Sequence, residues 1–307
     1  MQRLTVTGPV LVHLASGIGN IVLATPLLVA LNELGLTVDL CLSADYPATV
    51  ELLRGWSILR NVFTDAGVLR STAYDAILPA APPFYWQRFR AICAGAPRRM
   101  VVRPPDALFY ENEQAYYLAF ARALGYPGDR HPALTLPIGP SCRLSPSTVV
   151  LAPGCKTGEM AAKRWNGFGR LAELLPEVAV VGTADDLFDA DGKPVCFPAH
   201  IQNLVDRLSL RETAEAIAGA GLVVANDTGL AWVAAAVGTP TVVIFGPTPD
   251  RSLGPLPPHV RVVRSGLECE PCWFTARFEQ CGRSIDCLRR MAPETVLSVA
   301  REVTFVS

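Results

Sequence analysis

The chain predicts an α/β fold of two Rossmann-like domains in succession, and three observations carry that expectation. Short apolar runs alternate with stretches of helical spacing along most of the 307 residues. Five prolines from Pro127 to Pro146 (Pro127, Pro132, Pro137, Pro140 and Pro146) interrupt the alternation near its middle. The most apolar runs end in glycine-rich or polar turns, as strands of a parallel sheet do where they pass into crossover helices. Two such halves on a proline-rich joint would enclose a cleft.

In chain order, Val10 to Leu14 is a short apolar strand and Ala15 to Gly19 a small-residue loop. Ile21, Ala24, Leu28 and Leu31 recur at helical spacing, which starts a helix near Asn20. Strands follow at Thr37 to Leu42, Ile58 to Phe63, Ala76 to Leu78 and Arg99 to Val102. Helical patterns lie around Ala48 to Leu53, Phe84 to Ala94 and Glu113 to Leu124. Beyond the prolines, strands are expected at Thr148 to Leu151, Val178 to Val181, Leu222 to Ala225 and Thr241 to Phe245. Helices are expected at Trp165 to Leu175, Leu210 to Ala218, Trp232 to Val237 and Pro293 to Val303. The expected domains are 1–140 and 147–290, with a terminal helical segment at 291–307.

Half the residues are hydrophobic and 18% are charged, which supplies two cores and a lightly charged surface. A net charge of −1 argues against a general polyanion binder and leaves local patches open. No run approaches the ~18 uninterrupted apolar residues of a membrane span. Gly8, Pro9, His13 and Asn20 break up any signal-peptide pattern. The natural expectation is a cytoplasmic enzyme.

The segment Asn226-Asp-Thr-Gly-Leu230 is the most informative. It stands between the apolar run Gly221 to Ala225 and an Ala-rich helical stretch, so Asp227, Thr228 and Gly229 fall at a strand exit that opens a helix. Unpaired N–H groups and the helix dipole at such a tip suit a phosphate. The run Val242 to Phe245 ends likewise in Gly246-Pro247-Thr248. Neighbouring exits of this kind are where open α/β sheets bind nucleotides; an N-capped helix in an ordinary α/β domain would read the same way. The loop Ala152 to Trp165 gathers Lys156, Lys163 and Arg164, holding two of the three lysines in the chain. Cations there, just before a helix, are what a diphosphate would need. Asp185 and Asp186 follow the strand Val178 to Val181, placed to accept ribose hydroxyls or to cap a helix. Ser16-Gly17-Ile18-Gly19-Asn20 is a glycine-rich turn whose backbone can approach a ligand, but it does not complete a dinucleotide fingerprint.

The order GIGN…TP, APG…KRW, VGTADD, NLVDRLSLRETAEAIAGA, NDTGLAW…GTPTVVIFGPT and CEPC…C…C resembles glycosyltransferase family 9, the heptosyltransferases, from Val10 to about Val299. The resemblance implies a GT-B architecture, with the acceptor on the N-terminal Rossmann-like domain and a nucleotide-diphosphate sugar on the C-terminal one. It implies metal-independent transfer with inversion, of a sugar such as a heptose from a donor such as ADP-heptose, to a glycan, lipid-linked, natural-product or other hydroxyl acceptor. By similarity Lys163 contacts the donor pyrophosphate, Asp185 or Asp186 the ribose, and Asp227, Thr228 and Gly229 the donor sugar and phosphates. Gly17, Gly19 and Asn20 belong to the donor-binding set.

The chain departs from the pattern twice. Family members commonly carry an aspartate base where this chain has Asn20, and an amide cannot take a proton. Asp106, Glu111 and Glu113 are the candidates for the base. The family's DTGxxH motif ends here in Trp232, replacing a phosphate-facing imidazole by an indole with one donor.

Cys269, Cys272, Cys281 and Cys287 follow C-x2-C-x8-C-x5-C, spacing that can close a tetrahedral zinc or iron site. Some relatives in the family carry a cysteine-ligated metal there, and a four-thiolate site would staple a loop rather than catalyse. Between Phe84 and Arg103, aromatics mix with Arg88, Arg98 and Arg99 and no acidic residue. That surface could grip an anionic acceptor or rest on the inner face of a membrane. An epimerase of the same fold, and a nucleotide-sugar-binding protein without catalysis, are the rival readings.

Overall fold

Runs of consecutive buried apolar residues, the mark of strands covered on both faces, build two parallel sheets in the computed structural model. It describes residues 6–14, 16–64, 73–86, 103–156, 158–273, 275–281 and 285–304. One unit comprises the chain up to Pro137 with Arg251–Pro255; the other comprises Ile138–Asp250 and the chain from Leu256.

The N-terminal unit runs β1 (Val10–Leu14), α1 (Ile18–Leu23), α2 (Thr25–Glu33), β2 (Val38–Leu42), α3 (Thr49–Leu53), β3 (Leu59–Phe63), β4 (Ala76–Leu78), α4 (Asp106–Glu111) and α5 (Glu113–Ala123). Its strands form a 4-stranded sheet in the order β3-β2-β1-β4. The single helix expected from Asn20 is two, because Pro26 lacks the N–H that would continue α1 and instead opens α2. Asp39 lies buried in β2, where Arg60, Asn61 and Tyr74 all donate to its carboxylate. Helix α4 was not expected. The helical pattern from Phe84 begins as a short 3₁₀ turn at Pro83–Tyr85. The rest of that pattern, and the expected strand Arg99 to Val102, lie outside the described residues.

The C-terminal unit runs β5 (Val149–Ala152), α6 (Phe168–Glu173), β6 (Val178–Val180), β7 (Gln202–Asn203), α7 (Leu210–Gly219), β8 (Leu222–Asn226), α8 (Gly229–Val237), β9 (Thr241–Ile244), β10 (Val260–Val263), α9 (Ala276–Gln280), α10 (Asp286–Arg289) and α11 (Pro293–Thr304). The sheet is 6-stranded and parallel, in the order β10-β9-β8-β5-β6-β7. Strand order reverses between β5 and β8, the switch point at which such sheets open a crevice at their carboxyl ends. Helix α7 starts on a reciprocal Ser209–Glu212 capping box, and α8 stops at Gly238, whose φ of 84° suits glycine. The expected separate terminal helix is part of this core: Val296, Ala300 and Val303 of α11 are buried in it. The proline-rich stretch forms neither helix nor strand, yet Leu134, Leu136 and Leu144 are buried. Among the described residues, no helix is long and apolar enough to cross a membrane.

Candidate functional site

At the switch point, the exits of β5, β8 and β9 meet at one carboxylate. Strand β8 ends on Asn226, fully buried, whose Nδ2 donates to Pro153 O at 2.6 Å while its Oδ1 accepts Trp165 N at 3.1 Å. Those two bonds fix the start and end of the β5 loop against β8. Asp227 follows, its N–H donating to Ile244 O at 3.2 Å. Its Oδ2 accepts both Lys163 Nζ at 2.9 Å and Thr248 Oγ1 at 3.0 Å. Thr228 then caps α8 without a side-chain hydrogen bond, and the first turn carries no acidic residue. The positive end of α8 therefore adjoins the Lys163–Asp227 ion pair, which sets an ammonium group and helix-tip N–H groups side by side. Cys155 lies in the same loop; burial pushes its thiol up, Lys163 draws it down and Asp227 opposes that.

Of the loop's other two cations, Lys156 is exposed, and Arg164 is committed to backbone carbonyls. Arg164 is 4% exposed and donates to Cys155 O, Asp185 O and Phe188 O at 2.5, 2.7 and 3.0 Å. It ties the β5 and β6 exits together. Asp186 reinforces that tie, accepting from Thr183 N and Oγ1 at 2.8 and 3.0 Å and standing 3.8 Å from Arg164. It approaches Gly154 so closely that a Cβ there would come within 2.2 Å of its Cγ. Asp185, by contrast, is exposed. Trp232 is interior, 2% exposed and tilted against Phe245, so its indole fills core rather than facing a phosphate.

In the N-terminal unit, Gly17 caps α1, Gly19 lies in its first turn, and Asn20 is held on both sides. Ser16 Oγ donates to its Oδ1 at 2.5 Å, and its Nδ2 donates to Glu113 Oε1 at 2.6 Å. The same Glu113 oxygen accepts Tyr117 Oη at 3.0 Å. Burial, and then the Glu113 charge, push the Tyr117 phenol well above its ordinary range, so it stays a donor. Glu113 is 6% exposed and lies in the first turn of α5. The other two candidates differ: Asp106 is exposed and paired with Arg103 at 2.6 Å, and Glu111 is exposed. Arg88, Arg98 and Arg99 lie outside the described residues.

Of the clustered cysteines, Cys272 and Cys287 are buried, Cys281 is half-buried and Cys269 exposed. Among the described residues, no three His, Cys, Asp or Glu side chains are gathered as a metal site. The thiols nevertheless feel one another. Burial, then Cys269 and Cys281, raise Cys272, while burial, then Glu270 and Cys272, push Cys287 up to about 12. Glu270 Oε2 is buried with no hydrogen bond, 3.7 Å from Arg264 Nη1.

The profile of glycosyltransferase family 9 (heptosyltransferase) matches residues 121–281, more than half of the chain. The chain belongs to glycosyltransferase family 9. Within that family it is 33% identical over 122 residues to lipooligosaccharide heptosyltransferase 2 of Haemophilus influenzae; the match spans 36% of this chain and 35% of that protein. Its fold is similar to that of ADP-heptose LPS heptosyltransferase II of E. coli, with a TM-score of 0.71 at 20% identity over 97% of this chain and 99% of that one. It is also similar to TibC, an iron-containing dodecameric glycosyltransferase of enterotoxigenic E. coli H10407, with a TM-score of 0.69 at 19% identity over 99% and 78%. The α/β fold with parallel sheets is thus that of the GT-B heptosyltransferases.

The sequence pointed to Lys163, Asp227 and the Thr228 turn, and the fold brings them together. It gave no site role to Asn226 or Thr248, although Thr248 stands at the second strand exit, where a hydroxyl directly after Gly-Pro was the available sign.

Proposed function

We propose that this family 9 member is an inverting glycosyltransferase that moves a sugar, heptose from ADP-heptose, to a hydroxyl of a glycan acceptor. The observation that carries the reading is Asp227 Oδ2, shared by Lys163 and Thr248 beside the uncapped tip of α8. Lys163 and the N–H groups of Thr228 and Gly229 take the diphosphate, Asp227 accepts sugar hydroxyls, and exposed Asp185 serves the ribose. As the bond from the anomeric carbon to the β-phosphate oxygen breaks, its electron pair leaves on the diphosphate. Pre-placed cationic and N–H groups stabilise that charge most where it develops.

The acceptor hydroxyl loses its proton as its oxygen bonds to the anomeric carbon, and Glu113 is the carboxylate assigned to receive it. Its burial, and the Asn20 amide donated to it, distinguish it from Asp106 and Glu111. Asn20 then positions the base instead of acting as one.

The four cysteines are assigned a structural zinc or iron ion. The C-x2-C-x8-C-x5-C spacing and the buried Glu270 oxygen without a hydrogen bond support a cation there. Cys269, Cys272, Cys281 and Cys287 would hold it, and its part there is to fix the loop.

The test supplies ADP-heptose with a deacylated lipooligosaccharide core, following ADP release and product mass. Wild-type protein is expected to form the heptosylated product, and Asp227→Ala to lose it while still folding. Equal turnover in Asp227→Ala removes the site from this reading, and isomerised donor without acceptor turns it to epimerisation.

A further inference from the structure

The turn that delivers Thr248 to Asp227 is held by the cysteine-bearing segment. Two successive N–H groups, of Cys272 and Trp273, donate to the single carbonyl of Pro247 at 2.9 and 2.8 Å. Arg264, just past β10, donates to the carbonyls on either side, Gly246 O at 2.8 Å and Thr248 O at 2.5 Å. The same guanidinium is anchored by Asp250 at 2.7 Å and lies over the Phe245 ring at 5.1 Å. All three carbonyls of Gly246-Pro247-Thr248 are therefore tethered by residues 264–273. Thr248 is 8% exposed, and its hydroxyl meets the oxygen that Lys163 also holds. Rotating Thr248 away would break tethers that are buried or half-buried and costly to leave unmade.

We propose that the cysteine segment around Cys269 and Cys272 is the positioning element of the anion site. It acts through Pro247 and Thr248 on Asp227 and Lys163, so that loosening it weakens binding of a nucleoside diphosphate. This rests on reading Lys163 and Asp227 as the diphosphate site. Coupling of this kind is reciprocal: a ligand that favours the braced turn must also hold the segment closed, by the same factor.

The reciprocal measurement needs no altered protein. Cys272 is buried and reacts with a thiol reagent only when the segment opens, whereas Cys142 is exposed, lies outside the cysteine cluster and serves as an internal control. In the full chain with ADP as probe, calorimetry gives the Kd and mass spectrometry gives labelling at each cysteine. Saturating ADP is expected to slow Cys272 labelling at least fivefold, with Cys142 unchanged, and Thr248→Val to remove that protection. Arg264→Met, which removes the guanidinium bonds to Gly246 O and Thr248 O, and Thr248→Val should each weaken ADP about tenfold, and together also about tenfold, because both break one path. Tight ADP binding with unprotected Cys272, or a combined loss near a hundredfold, overturns the brace and leaves the diphosphate site standing. No ADP binding by wild-type protein overturns the diphosphate site and the brace with it.

Discussion

Asn226 is where removing one side chain should loosen the C-terminal unit most visibly. Its carboxamide is fully buried and makes two bonds, to Pro153 O at 2.6 Å and from Trp165 N at 3.1 Å. Asn226→Ala leaves that carbonyl and that N–H without partners in a dry interior. Each orphaned group costs about 1–3 kcal/mol, so the expected loss is about 2–6 kcal/mol. For a unit of this size about 3 kcal/mol lowers Tm by ~6–12 °C. Asn226→Asp sharpens the test. It preserves shape and the acceptor for Trp165 N but turns a carboxylate oxygen onto Pro153 O, so it should be at least as damaging as alanine. Differential scanning calorimetry with urea unfolding reads both variants. An alanine variant within ~2 °C of wild type, or an aspartate variant as stable as asparagine, would refute the claim that this amide ties β8 to the β5 loop.

Gly154→Ala forces a Cβ to 2.2 Å from Asp186 Cγ. It is expected to displace that carboxylate from Thr183, to cost ~1–3 kcal/mol in thermal unfolding, and to be relieved by adding Asp186→Ala. Glu113→Gln should lower transfer by ~10²–10⁴-fold with ADP affinity unchanged, and adding Asn20→Asp should return part of the rate; full activity in Glu113→Gln would remove it as base. Burial raises the Asp39 carboxyl, but bonds from Arg60, Tyr74 and Asn61 and the Arg60 charge outweigh this and hold it below its ordinary value. Its contribution is therefore present above the unfolded value of 3.8 and lost as pH falls through the lower folded value. Asp39→Asn should flatten the acid end of the stability curve, and an unchanged acid slope would contradict this.

What could be read before the fold was known follows from burial. Strands β5, β8 and β9 are covered on both faces and appear as apolar runs, and the small or polar residues after them mark the exits that build the site. Strand β7 is two exposed residues, Gln202–Asn203, at a sheet edge, and nothing in such a pair is periodic. Strand β10 alternates only weakly and follows a proline-rich approach. Side-chain roles were legible only where spacing was short. Lys163 and Asp227 are 64 positions apart, and Asn20 and Glu113 are 93 apart, so those pairs exist only once the sheets are ordered. Arg164 illustrates the opposite difficulty. As a cation beside Lys163 it looked like a phosphate ligand, yet burial and three backbone carbonyls commit it to joining two loops.

The most direct test is calorimetric titration of ADP into wild-type protein and Lys163→Met. A charge-assisted phosphate contact is worth about 1.5–3 kcal/mol, so the variant should bind ~10–100-fold more weakly, with wild type binding one equivalent. Equal affinities in the two proteins, or no heat from either, would contradict the assignment of a diphosphate to the Lys163–Asp227–Thr228 corner.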